Sequence, residues 1–534
     1  MNTLTHTNRF WLITCLGVIG YGLLFIITNS INNLDELHYL SLAWEMHKQH
    51  YYLLPIALGH PDIQKPPLLY WLINLGWSLF GVSTTWPLVL ITLINLGCLF
   101  TTWRIALKLF PQQPLTAQLA VIILATGVFW FHFFNRIRFD GLLTLFTVLY
   151  INYTITSYRQ HKMTWTVAAG ICMGLGFLAK GAAILIFVLP FYLLLPRYEL
   201  QQYPYRKWLA KMLLTLIIAL IIVATWAIPL YLSLGPKTMS TMFISQQHSR
   251  VLLTHHLGEL PNLFISFLPW TVMPMLLLNL RHLKKAPRSP CGLLGWTTLL
   301  SGLFFTFFVL MHVKRYLLPL YPLVAIMLAY TINLRIDKTL LTIQNRILIL
   351  LSIIISIGLI TLSLLPSSLL RFIPPSDEYA LWGIALLVMS VVCWKLNGKQ
   401  QLQPLTLLTL IITALLVTGI VGINGIFTRS NDIFLQQLAL QMRQNQQRHI
   451  PQANLISGGY QAFDFKGELQ QPLPLFNEHS VAFKNWLHSH PNGILYFSMR
   501  KHIRPCMKKN AYQLKGSDRI IAVVNVHHYT HYCQ

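Results

Sequence analysis

Fifteen carboxylates serve a chain of 534 residues that also carries 40 lysines and arginines, and the first five acids in order are Asp35, Glu36, Glu45, Asp62 and Asp140. Asp35 and Glu36 directly follow an apolar run. Such a pair can orient or deprotonate a reacting hydroxyl, and it serves equally as a headgroup-level turn or as the N-cap of a helix beginning at Leu37. Asp140 stands in "NRIRFDGLL", just after Arg136 and Arg138. An aspartate at a helix start is favoured as a cap and by the dipole, but two neighbouring arginines also suit it to anchoring a cationic site.

Cations form the second set. In "IQKPPLLYWL", Lys65 precedes two prolines that fix the backbone, so its ammonium can meet phosphate as a held point charge. Tyr70 and Trp71 follow at a spacing that also fits an aromatic belt. "MHVKRYLLPLYPLVAIMLAY" brings His312, Lys314, Arg315 and Tyr316 to one helix mouth, where two adjacent cations suit a pyrophosphate or phosphodiester. Lys180 in "GFLAKGAAIL" and Arg250 in "SQQHSRVLL" extend the series. Any one of them can simply snorkel to the headgroups; together they resemble the lining of a phosphate pocket.

The elements that carry these residues are membrane helices. The chain is 54% hydrophobic and only 10% charged, with mean hydropathy +0.54, whereas soluble domains carry about 25% charged residues. Apolar runs predict a polytopic all-α membrane bundle of 13 spanning helices. They lie near 10–28, 84–103, 115–134, 141–157, 163–179, 182–196, 212–233, 262–280, 291–311, 316–334, 347–366, 379–395 and 404–427. The first run lacks a small-residue cleavage site and reads as an uncleaved helix. The net charge of +25 is spread between the runs rather than gathered on one face, which excludes a nucleic-acid binder.

With the N-terminus cytoplasmic, alternate loops collect most of the basic residues, as the positive-inside rule requires. Lys65, Arg136, Arg138, Lys180, Arg250, Lys314 and Arg315 are then among the exceptions left outside. The first outer loop, 31–83, carries two interfacial segments, 37–50 and 68–80. The membrane domain closes near residue 427, and 428–534 reads as a small extracytoplasmic α/β domain with strands at 453–456, 493–498 and 519–526. Five cysteines fall inside apolar runs; Cys506 and Cys533 can form a disulfide if the tail lies outside. The tail histidines, His527 and His528 among them, read as surface residues.

The ordered motifs "LDELHYLSLAWEM", "IQKPPLLYWL", "NRIRFDGLL", "GFLAKG" and "HVKRYLLPLYP" resemble the GT-C glycosyltransferases of the protein O-mannosyltransferase and 4-amino-4-deoxy-L-arabinose lipid A transferase group. The resemblance runs from about residue 10 to 335. It implies inverting sugar transfer from a polyprenyl-phosphate donor at the extracytoplasmic face of the bacterial inner membrane. Asp35, and with it Asp140, would take the catalytic places. Glu36, His38, Lys65, Tyr70, Arg136, Arg138, Lys180, Arg250, His312, Lys314, Arg315 and Tyr316 would bind substrate. Inversion needs the acceptor oxygen opposite the leaving phosphate, a base where that oxygen is a hydroxyl, and cations for the departing charge.

This chain departs from the arabinose-type pattern at Gln64, where those enzymes have Glu, at His38, where Arg is common, and at Gln246 and Gln247, in a stretch that tends to be acidic. A divalent metal stays open as an expectation, weakened by Gln64, and no other cofactor is expected. The expected partners are a polyprenyl-phosphate sugar, lipid A or another envelope acceptor, and membrane lipids, for a monomeric enzyme. The alternatives are a protein O-mannosyltransferase and, in another class, a lipid or sugar transporter. Against the transporter stand the absence of internal repeats and the clustering of charge at one surface.

Overall fold

A computed structural model describes residues 19, 34–57, 60–62, 65–127, 129–130, 134, 136–199, 203–248, 289–308, 314–333, 338–364, 378–398, 437–438, 440–456, 475–477, 481–500, 507, 511–513 and 519–532. The expected helices at 10–28, 262–280 and 404–427 lie outside these residues. So do Gln64, Arg250, His312, Cys506 and Cys533, and the side chains of Asp35, Gln246, Gln247 and Lys314. Two compact units divide the chain: Met1–Phe25, Ile63–Leu69 and Thr85–Gly422 form one, and Ile26–Asp62, Tyr70–Thr84 and Ile423–Gln534 the other.

The first-loop elements are α1 (Leu34–Gln49), the short antiparallel pair β1 (Ile56–Ala57) and β2 (His60–Pro61), and α2 (Leu68–Phe80). Both expected interfacial segments are thus helices. Leu40, Ala43 and Met46 are buried. Asn74 locks α1 to α2, its amide donating to the carbonyls of Ala43 (3.1 Å) and Tyr70 (2.9 Å). The other face of α2 leaves Leu79 and Phe80 about two-thirds exposed, 67% and 70%, as suits an apolar edge at a lipid interface.

The bundle contains α3 (Thr85–Leu109), α4 (Pro114–Ala125), α5 (Phe139–Gln160), α6 (Met163–Lys180), α7 (Ala183–Tyr198), α8 (Tyr205–His248), α9 (Pro290–Phe308), a 3-10 turn (Lys314–Leu320), α10 (Tyr321–Asn333), α11 (Lys338–Leu364) and α12 (Glu378–Gly398). Among the described residues four helices are long and apolar enough to cross a membrane, at Thr85–Leu109, Met163–Lys180, Tyr205–Pro236 and Arg315–Asn333. Shorter apolar helices accompany them. Two expected spans differ. The run at 115–134 stops at Ala125, where Thr126 and Gly127 leave the helix. The run at 316–334 begins as a 3-10 turn because Pro319 and Pro322 lack amide donors.

Close packing of α6 on α8 depends on two glycines one turn apart. A Cβ on Gly170 would lie 2.8 Å from Ile218 Cβ, and one on Gly174 would lie 2.8 Å from Ile222 Cβ. Small residues at this spacing let membrane helices approach closely. α8 itself breaks at Gly235, whose φ of 73° and ψ of 161° admit the kink before Pro236. At the far end of α5, three cations fasten its C-terminus. Lys108 donates to the Asn152 carbonyl (3.0 Å), Lys211 to the Ser157 carbonyl (3.1 Å), and Arg159 grips Glu199 through Nε and Nη2. Cations there complement the negative end of the helix dipole.

The tail carries β3 (Gln452–Ile456), β4 (Leu475–Asn477), α13 (Val481–Ser489), β5 (Ile494–Arg500), β6 (Ala511–Gln513), β7 (Arg519–Asn525) and α14 (Val526–Tyr532). The sheet order is β4-β3-β5-β7-β6, parallel across β4-β3-β5 and antiparallel beyond. The three expected strands are β3, β5 and β7. Phe483, Leu487, Leu495, Phe497, Val524 and Tyr529 form its core.

Candidate active site

Asp140 sits in the first turn of α5, next to the positive end of the helix dipole. Arg138 is its extended N-cap residue (φ −146°, ψ 153°), without a side-chain capping bond. Lys180 is the last residue of α6, and Gly181 (φ 68°) turns the chain away behind it. These two helix ends put the Lys180 ammonium on the Asp140 carboxylate as a short ion pair, with the two side chains 10% and 8% exposed. Burial at that depth is tolerated because each charge answers the other.

The 3-10 turn supplies the third side. Arg315 Nε lies 3.9 Å from Asp140 Oδ2, and the Lys180 ammonium lies 3.7 Å from the centre of the Tyr316 ring, a cation–π contact. Tyr316 meets Phe305 edge-on with centroids 6.1 Å apart, which holds the ring in place. Lys65 and Arg138 also act electrostatically on this pair. Arg136 is buried nearby in sequence, at 7% exposure. Three cations, Lys180, Arg315 and Arg138, therefore act on the one Asp140 carboxylate among the described residues, Lys65 adds its charge beside Lys180, and the surplus is positive. A cluster of that kind binds an anion with several oxygens, such as a phosphodiester.

The structure thus brings together Lys65, Arg138, Asp140, Lys180, Arg315 and Tyr316 from widely separated motifs. In the other unit, Asp35 and Glu36 lie in the first turn of α1, and Glu36 is fully buried. His38 Nε2 is 3.2 Å from Asp62 Oδ2. Asp62 is held by its own amide, which donates to the Pro55 carbonyl at 2.8 Å. Tyr70 is buried at 1% exposure. Asp62 was not among the expected site residues. Only the short hairpin of β1 and β2, invisible in a two-residue pattern, turns it toward His38. Among the described residues no three His, Cys, Asp or Glu side chains gather to hold a metal ion.

The dolichyl-phosphate-mannose-protein mannosyltransferase family matches residues 64–228. An uncharacterised protein of Aquifex aeolicus is 28% identical over 349 residues, 62% of this chain and 64% of that one. An undecaprenyl phosphate-alpha-4-amino-4-deoxy-L-arabinose arabinosyl transferase of Pseudomonas aeruginosa (strain LESB58) is 24% identical over 417 residues, 73% of this chain and 71% of its own. The crystal structure of ArnT from Cupriavidus metallidurans bound to undecaprenyl phosphate superimposes with a TM-score of 0.71 at 18% identity, covering 96% of this chain and 98% of that one. This multi-pass membrane protein thus shares its fold with ArnT across nearly both whole chains, and in sequence it is similar to glycosyltransferases of the protein O-mannosyltransferase and 4-amino-4-deoxy-L-arabinose lipid A transferase group.

Proposed function

We propose that the protein moves a monosaccharide, an amino sugar of the 4-amino-4-deoxy-L-arabinose type, from a polyprenyl phosphate to lipid A or a related envelope glycolipid, with inversion at the extracytoplasmic face. The observation that carries this reading is the cationic cluster around Asp140. Breaking the glycosyl–phosphate bond leaves negative charge on the departing phosphate, and preorganised cations stabilise that charge where it develops. Lys65, Lys180 and Arg315 take that role. Asp140 holds Lys180 and Arg315 in place, so it positions the cations and is not itself a proton carrier. Asp35 serves the acceptor side: a lipid A phosphate is already anionic at neutral pH, so no proton has to be removed, and the carboxylate balances surrounding positive charge and does not bind the phosphate itself.

His38, which stands where the arabinose-type enzymes often have Arg, pairs here with Asp62. A second reading, transfer of mannose to protein, is favoured by the mannosyltransferase family match over residues 64–228. A Ser or Thr acceptor requires Asp35 as a true base. Mass spectrometry of lipid A from cells with and without the gene separates the two. Loss of an added sugar from lipid A is the expected result; unchanged lipid A together with a missing glycoprotein would establish the second reading.

A further inference from the structure

The proposed transfer leaves unused a histidine-rich helix at the end of the tail. α14 carries His527, His528 and His531 within seven residues. Val526 and Tyr529, 1% and 3% exposed, sink into the tail's core, where Tyr529 packs on Phe483 (5.8 Å) and Phe497 (5.5 Å). That anchoring fixes the remaining faces of the helix. His527 and His531, four residues apart, share an exposed face with their ring centroids 4.3 Å apart and their planes at 33°. His528 turns elsewhere, onto Tyr532 at 4.9 Å.

We infer that His527 and His531 form a two-imidazole clamp for a divalent transition-metal ion of the copper, nickel and zinc class. Residues four apart lie on one helix face, and each neutral imidazole offers one nitrogen lone pair. Thr530 orients the second ligand. Its hydroxyl donates to the Val526 or His527 carbonyl, each at 3.1 Å, and lies 3.4 Å from His531 Nδ1; in the tautomer whose Nδ1–H donates to it, Nε2 is the ligand nitrogen. Two ligands set on an anchored helix bind as a chelate, and water completes the coordination. Cu2+ binds more tightly than Ni2+ or Zn2+.

The test uses the full chain, purified without a histidine tag and with Cys506→Ser and Cys533→Ser in every protein compared. Titration with Ni2+ by calorimetry and with Cu2+ by electron paramagnetic resonance reads affinity and the number of bound nitrogens. The expected result is one equivalent bound through two nitrogens. His527→Gln and His531→Gln each weaken it by about a hundredfold, the loss of the chelate's effective concentration, and His528→Gln leaves it unchanged. All three positions sit on the helix surface around the buried pair, and the unfolding midpoint without metal checks that each variant is folded. Absence of binding, unchanged affinity in His527→Gln, or an equal loss in His528→Gln would overturn the proposal.

Discussion

Asp140 begins one helix and Lys180 ends another, and their side chains meet as a buried ion pair. The carboxylate stands at the positive end of its helix dipole and the ammonium at the negative end of its own, so each helix favours the charge it carries. Removing the Asp140 charge leaves Lys180 beside Arg315 as like charges, and removing Lys180 leaves the carboxylate only the longer contact with Arg315 at 3.9 Å. Asp140→Asn and Lys180→Met are each expected to cost about 3 to 5 kcal/mol of stability, the range for breaking a buried pair. The double variant should cost clearly less than the sum. A double-mutant cycle of unfolding in detergent measures this, and strictly additive losses would show that the pair is not coupled.

Arg315 touches the same carboxylate at longer range and is more exposed, 21% for its side chain. Its charge is therefore available to substrate. Arg315→Gln is expected to lower kcat/KM for a polyprenyl-phosphate sugar by about 10²-fold or more while leaving the unfolding midpoint within a degree or two, as befits a donor aimed at developing charge. Initial rates over a range of donor concentrations check it. A large loss of stability with little loss of rate would make Arg315 structural instead.

Much of this organisation can be read in the primary structure, because lipid forces long apolar helices and scarce charges announce themselves. The motifs around Lys65, Asp140, Lys180 and Arg315 are visible as strings. Their convergence is not, since it depends on how α5, α6 and the 3-10 turn end. The prolines at 319 and 322 were visible too, but hydropathy alone ran one helix through them. In the tail, β4 and β6 have three residues each and leave no period-2 pattern, so only the longer β3, β5 and β7 were legible.

Gly170 and Gly174 give α6 its close approach to α8, and α6 ends in Lys180. A side chain at either glycine meets the branched carbon of an isoleucine. Gly174→Val is expected to destabilise the bundle by about 1 to 3 kcal/mol through overpacking. The loss should be recovered only in part by Ile222→Ala, which removes the Cγ2 and Cδ1 atoms 3.1 Å from the contact but keeps the Cβ at 2.8 Å. Thermal unfolding of the single and double variants checks the pairing.

In the tail, the Tyr496 hydroxyl donates to Gln452 Oε1 at 2.6 Å and lies 3.4 Å from Asn445 Nδ2. Burial pushes the phenol up to about 12. The folded state therefore prefers the protonated form, and the stability this contributes is present below the ordinary tyrosine value of about 10 and is lost as pH rises from there through the folded value. Tyr496→Phe is expected to cost about 1 to 3 kcal/mol at neutral pH by leaving the Gln452 carbonyl oxygen without its donor. The gap between the two proteins should narrow as pH rises above 10. Denaturant titrations of the full chain across that window measure it, and a gap that stays constant would refute the assignment.

The most direct measurement is transfer by the purified protein in detergent or nanodiscs, with a polyprenyl-phosphate-linked amino sugar as donor and lipid A as acceptor. The account predicts glycosylated lipid A of inverted anomeric configuration, one free polyprenyl phosphate released per sugar moved, and a rate that collapses in Lys180→Gln. A donor left intact with lipid A present, or transfer only to a Ser- or Thr-bearing peptide, would contradict it.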